Sequence, residues 1–109
     1  MTARMQKKGI PQAIRREAGA ARKQAAAARE RAAALREVAV ARNDAAAADE
    51  QRAPLLHREA MLAGREAKLY ERTAVTYDGE ARRADAQADA EEAIEKRKSS
   101  APPSRKRAR

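Results

Sequence analysis

Cysteine, tryptophan and phenylalanine are absent from this chain of 109 residues, and two tyrosines are its only aromatics. Without cysteine no disulfide forms and no thiolate is available for catalysis or metal binding, a composition that suits an intracellular setting. The one histidine, His57, has no second imidazole or thiolate with which to complete a metal cluster or a Cys/His pair. Asp85, Asp89 and Glu92 share one helix face, but opposite a row of arginines they read as a solvated acidic face. No apolar run approaches the roughly 20 residues that a membrane-spanning helix requires. Only four glycines are present, and none forms a phosphate-cradling loop or a nucleophile elbow. Two packed helices offer no concave pocket, so neither an enzyme, nor a cofactor, nor a small-molecule substrate is expected.

What fills the chain instead is alanine at strict seven-residue spacing: Ala18, Ala25, Ala32, Ala39, Ala46, Ala53, Ala60, Ala67, Ala74, Ala81 and Ala88. Taking this as heptad position a puts Ile14, Ala21, Ala28, Leu35, Arg42, Asp49, Leu56, Ala63, Tyr70, Tyr77, Ala84 and Glu91 at d. Such a seam is small and mostly apolar. Alanine is the best helix former and allows two helix axes to approach closely, so the pattern predicts long helices packed tightly on another helix. Each buried methyl contributes about 0.8 kcal/mol at most, which makes the seam weak per residue and dependent on length or a partner.

The position after d supplies orientation. Arg15, Arg22, Arg29 and Arg36 occupy e in the first half of the chain; Glu71, Asp78, Asp85 and Glu92 occupy it in the second. One antiparallel register pairs Arg15 with Glu92, Arg22 with Asp85, Arg29 with Asp78 and Arg36 with Glu71. The same register sets Ala32 opposite Tyr77, Ala39 opposite Tyr70 and Leu35 opposite Ala74, large against small. A parallel in-register dimer would instead bring Arg31 near Arg36, Glu66 near Glu71 and Glu80 near Asp85, all like-charge contacts.

An all-α fold follows, in which two long alanine-rich helices form an antiparallel coiled-coil hairpin about Pro54. Proline inside a helix removes a hydrogen bond at a cost of roughly 3 kcal/mol, and the centre of the charge pairing lies near it. The alternative is one long helix, kinked at Pro54, making the same contacts in an antiparallel homodimer. It draws on the unbroken alanine phase through Pro54 and on the lack of a Gly or Asn cap there. The expected divisions are a flexible basic N-terminal arm over residues 1–10, helix 1 over 11–53, helix 2 over 54–98 and a disordered basic Ser/Pro tail over 99–109. Gly64 and Gly79 are places where the second helix could bend. Expected interface residues are Ala18, Ala25, Ala32, Leu35, Ala39, Leu56, Ala67, Tyr70, Ala74, Tyr77 and Ala81. Leu55, Leu62 and Leu69 fall at c with Met61 beside them at b, a second apolar stripe away from the seam that predicts self-association or a protein partner.

Charge is concentrated at the ends. The net charge is +9, yet residues 1–16 hold five bases and no acid, residues 96–109 hold seven and no acid, and the remainder is slightly acidic. Arg4, Lys7, Lys8, Lys96, Arg97, Lys98, Arg105, Lys106, Arg107 and Arg109 are the candidate contacts to nucleic acid or another polyanion. The tail resembles a bipartite nuclear localisation signal with a shortened spacer, and the acid-free start resembles, more weakly, a mitochondrial transit peptide. Two functional classes emerge. The first is a structural or assembly protein whose basic arms anchor it to nucleic acid or a nucleoprotein particle; the second is a protein-only coiled-coil adaptor that uses the tail for localisation.

Overall fold

The computed structural model of the chain describes residues 3–100, with side chains described for 9–99. Two helices account for nearly all of them, α1 (Ala3–Ala48) and α2 (Ala53–Ser100), and no strand occurs among the described residues. The helices run antiparallel and pack as a hairpin. Arg15 meets Asp89 and Glu92, Arg29 meets Asp78, and Arg36 meets Glu71, so the sequence separation of partners shrinks steadily toward the turn. The break between α1 and α2 rules out the single kinked helix.

The turn lies at residues 49–52, ahead of Pro54, and aspartate makes it. Asp49 Oδ1 accepts hydrogen bonds from the backbone N–H groups of Gln51 at 3.2 Å and Arg52 at 3.3 Å, offering the chain an alternative to helix. The Arg52 carbonyl then accepts the Leu56 N–H at 3.0 Å, the first bond of α2. Pro54 therefore sits in the first turn of α2, where its missing N–H would have had no intrahelical partner anyway. No glycine or asparagine cap is needed.

Other boundaries also depart from those expected. α1 begins at Ala3, and Pro11 lies inside it. The helix continues past one lost hydrogen bond although Gly9 precedes the proline, with helix formers resuming from Gln12 and Ala13. α1 ends at Ala48 rather than at 53 because Asp49 captures the following N–H groups. At the other terminus α2 runs on through Ser99 and Ser100, with Arg97 and Lys98 in its last turn, where cations oppose the partial negative charge of the helix end. Residues 101–109, most of the expected tail, lie outside the described residues.

Contacts group the pair into two packed segments: residues up to Ala21 with those from Gly79 onward, and residues 22–78 around the turn. In the first, Ile14, Ala18, Ala81 and Ala88 are buried. In the second, Ala25, Ala28 and Ala74 form a cluster on which the half-buried Tyr70 and Tyr77 pack, while Ala32, Ala46, Leu56, Ala60, Ala63 and Ala67 continue the seam. Leu35 and Ala39 are half-buried. Ile14 and Leu56 are the only large apolar side chains buried among the described residues, so the seam is an alanine seam in fact as well as in sequence.

Both helices run without interruption through their interior glycines, and a methyl group built on Gly19 or Gly64 would meet nothing within 4 Å. Gly19→Ala and Gly64→Ala should each stabilise by about 0.5–1 kcal/mol by lowering the entropy of the unfolded chain. Thermal unfolding followed by circular dichroism should show Tm rising by roughly 4–8 °C per kcal/mol. A fall in Tm for Gly64→Ala would mean that α2 bends there.

Candidate functional site

Arginine spaced every seven residues on α1 places successive guanidinium groups on one edge of the seam, and the acid row of α2 answers from the same edge. Arg29 Nη2 donates to Asp78 Oδ2 at 2.5 Å, and Arg36 bonds both carboxylate oxygens of Glu71, one of them from Nη2 to Oε1 at 2.8 Å. Exposed pairs of this kind contribute about 0.2–1 kcal/mol each, so the row fixes register more than it supplies stability. Arg15 Nη2 donates to Glu92 Oε1 at 2.7 Å and to Asp89 Oδ1 at 2.8 Å. Those two hydrogen bonds, that to Glu92 the larger effect, push the already high guanidinium pKa further up. Asp89 and Glu92 are thus occupied as a clamp on arginine. No group of acids or histidine among the described residues is placed to hold a metal ion.

Three contacts between the helices had no clear sequence signal. Arg42, at a seam position, swings out to pair with Glu59 at 3.0 Å, and His57 Nδ1 lies 3.0 Å from Asn43 Oδ1. Arg31 sits over the Tyr70 ring, 5.7 Å from its centroid, a cation–π contact across the helix pair. By heptad phase Arg42 is a polar residue at a seam position, with Asn43 beside the seam. Here they bridge the two helices.

Among the described residues, the fold sets the N-terminal part of α1 beside the C-terminal part of α2, because Arg15 is held by Asp89 and Glu92. Arg16 is exposed on α1, and Lys96, Arg97 and Lys98 are exposed on α2. A shallow, solvent-open depression between the helices at this end is lined by three acids, Asp89, Glu92 and Glu95, together with Lys96, Pro11, Gln12, Ala93 and Ser99. Arg4, Lys7 and Lys8 belong to α1 by their backbone, but their side chains lie outside the described residues, as do Arg105, Lys106, Arg107 and Arg109 altogether.

The second apolar stripe is exposed, as its heptad position requires. Leu55, Met61, Leu62 and Leu69 stand on the side of α2 turned away from α1, each more than half accessible, with Val75 continuing the row at 61%. Leu69 shows 58% of its surface, although leucine ordinarily sits inside.

Comparison of the chain with protein-family models, curated proteins and solved structures finds no match.

Proposed function

We propose that the chain is a nonenzymatic coiled-coil structural or assembly protein whose basic ends anchor it to nucleic acid or to a nucleoprotein particle. The observation that carries this reading is the separation of charge: five bases without an acid in residues 1–16 and seven without an acid in residues 96–109, against a slightly acidic body. Antiparallel pairing is consistent with it, because among the described residues it sets α1 at Arg15 beside α2 at Asp89 and Glu92, a few residues from Lys96, Arg97 and Lys98. Neither basic end holds an aromatic to stack on bases, and arginine and lysine in such segments contact phosphate more readily than they read a groove, so binding without sequence preference is expected.

The exposed leucines favour a second reading, a protein-only coiled-coil adaptor in which the basic tail serves localisation inside the cell, the nucleus included. Titration against duplexes of equal length and random sequence separates the two. Binding at about 50 mM salt, weakening steeply as salt rises and equal across sequences, is the expected result. Absence of binding at that salt would leave the adaptor.

A further inference from the structure

The leucine stripe of α2 is one half of a matched pair of faces, and the other half lies on α1. Between residues 54 and 76 the side of α2 turned away from the seam carries no acid. Arg58, Arg65 and Arg72 form its central column, with Leu55, Leu62 and Leu69 on one flank and Met61, Lys68 and Val75 on the other, all exposed. Between residues 26 and 48 the corresponding side of α1 carries no base. Its central column is Glu30, Glu37 and Asp44, all exposed, and both flanks are small: Ala26, Ala33, Val40 and Ala47 on one side, the alanines from Ala27 to Ala48 at heptad spacing on the other. One face is thus basic and large, the other acidic and small.

The helical repeat accounts for the match. A residue seven positions on recurs on the same face about 10.5 Å further along the axis, so two columns at heptad spacing can meet at every step in a single register. Laid antiparallel, the faces bring Arg58 to Asp44, Arg65 to Glu37 and Arg72 to Glu30, with the leucine column facing alanine. Within one molecule they cannot meet, because they point away from the shared seam on opposite sides. Among the described residues none of these six charged side chains is held in an ion pair, whereas Arg29, Arg36 and Arg42 are.

We propose that the outer face of α2 docks on the outer face of α1 of a second copy of this chain. Charge complementarity selects that occupant: an arginine column flanked by leucine calls for an acid column flanked by small residues, and the chain carries one of matching spacing. Such a contact is heterologous. Each copy keeps one face of each kind unsatisfied, so copies add side by side into an open row of hairpins rather than closing as a two-fold dimer. This rests on the hairpin alone and is independent of nucleic-acid binding.

The test is sedimentation velocity on the full chain from micromolar to millimolar concentration at about 20 mM salt, where exposed charges are weakly screened. Wild type should form species that grow beyond dimer with concentration. Reversing the base column (Arg58→Glu, Arg65→Glu, Arg72→Glu) or the acid column (Glu30→Arg, Glu37→Arg, Asp44→Arg) should each weaken association at least about tenfold with helicity retained. An equimolar mixture of the two variants should associate again, since each then supplies the charge that the other lacks. Monomeric wild type at every concentration would overturn the proposal. So would variants that associate as wild type does, a mixture that stays monomeric, or a monomer that instead binds anionic lipid vesicles through Leu55, Leu62 and Leu69.

Discussion

Ala25→Leu combined with Ala74→Leu should abolish cooperative thermal unfolding of the hairpin near room temperature, while Ala86→Leu leaves Tm nearly unchanged. Ala25 and Ala74 are fully buried in the cluster that seats Tyr70 and Tyr77, whereas Ala86 is exposed. Inserting extra methylenes into packed interior costs about 1–3 kcal/mol per site. Here the strain cannot be relieved locally. Moving the axes apart to admit leucine at one level would strip contact from Ala28, Ala32 and Ala67 along the same seam. A seam of methyl groups has little stability in reserve, so a combined loss of about 2–6 kcal/mol is enough to unfold it. Circular dichroism with heating reads the result. A double variant that melts above wild type would mean that the helices are not in close alanine contact.

Replacing the seven bases of residues 96–109 with glutamine should weaken duplex binding by at least about a hundredfold at about 100 mM salt. Each phosphate contact contributes about 0.9 to the slope of log affinity against log salt, so the slope should flatten by up to about 6. Helicity should hardly change, because Lys96, Arg97 and Lys98 are exposed at the end of α2 and no seam residue is touched. Fluorescence anisotropy over a salt series gives both quantities. Unchanged affinity would show that the C-terminal bases do not bind the polyanion, leaving residues 1–16 or bases on the helix body such as Arg58, Arg65 and Arg72.

Orientation and register were legible in the sequence because they depend on side chains repeated at fixed spacing: Arg29 and Arg36 identify Asp78 and Glu71 through arithmetic alone. Exposure of Leu55, Leu62 and Leu69 was legible for the same reason. Chain reversal was legible as a hairpin about Pro54, but the residue that makes the turn was not, since it depends on one side chain. Asp49 reads as a seam residue by phase, and only its bonds to the Gln51 and Arg52 N–H groups reveal it as the residue that stops α1. Pro54 pointed correctly to a hairpin, whereas Pro11, expected at the start of helix 1, lies inside α1. The cost of a proline is large only where a hydrogen bond is lost, which is not so for Pro54 in a first turn, whereas at Pro11 one is lost and α1 continues on the helix formers from Gln12 onward. The Arg42–Glu59 pair was hidden because a long side chain at a seam position can leave the seam.

That the chain folds back on itself can be measured within one molecule. Ala34 and Thr73 are both exposed, and with no native cysteine a spin label can be attached to Ala34→Cys and Thr73→Cys alone. The doubly labelled chain, diluted into excess unlabelled protein, reports the intramolecular distance by pulsed dipolar spectroscopy. In the hairpin the two sites lie on neighbouring helices whose axes are about 8–10 Å apart, so a separation below about 25 Å is predicted. A distance of about 60 Å, the length of the intervening chain as unbroken helix, would contradict it.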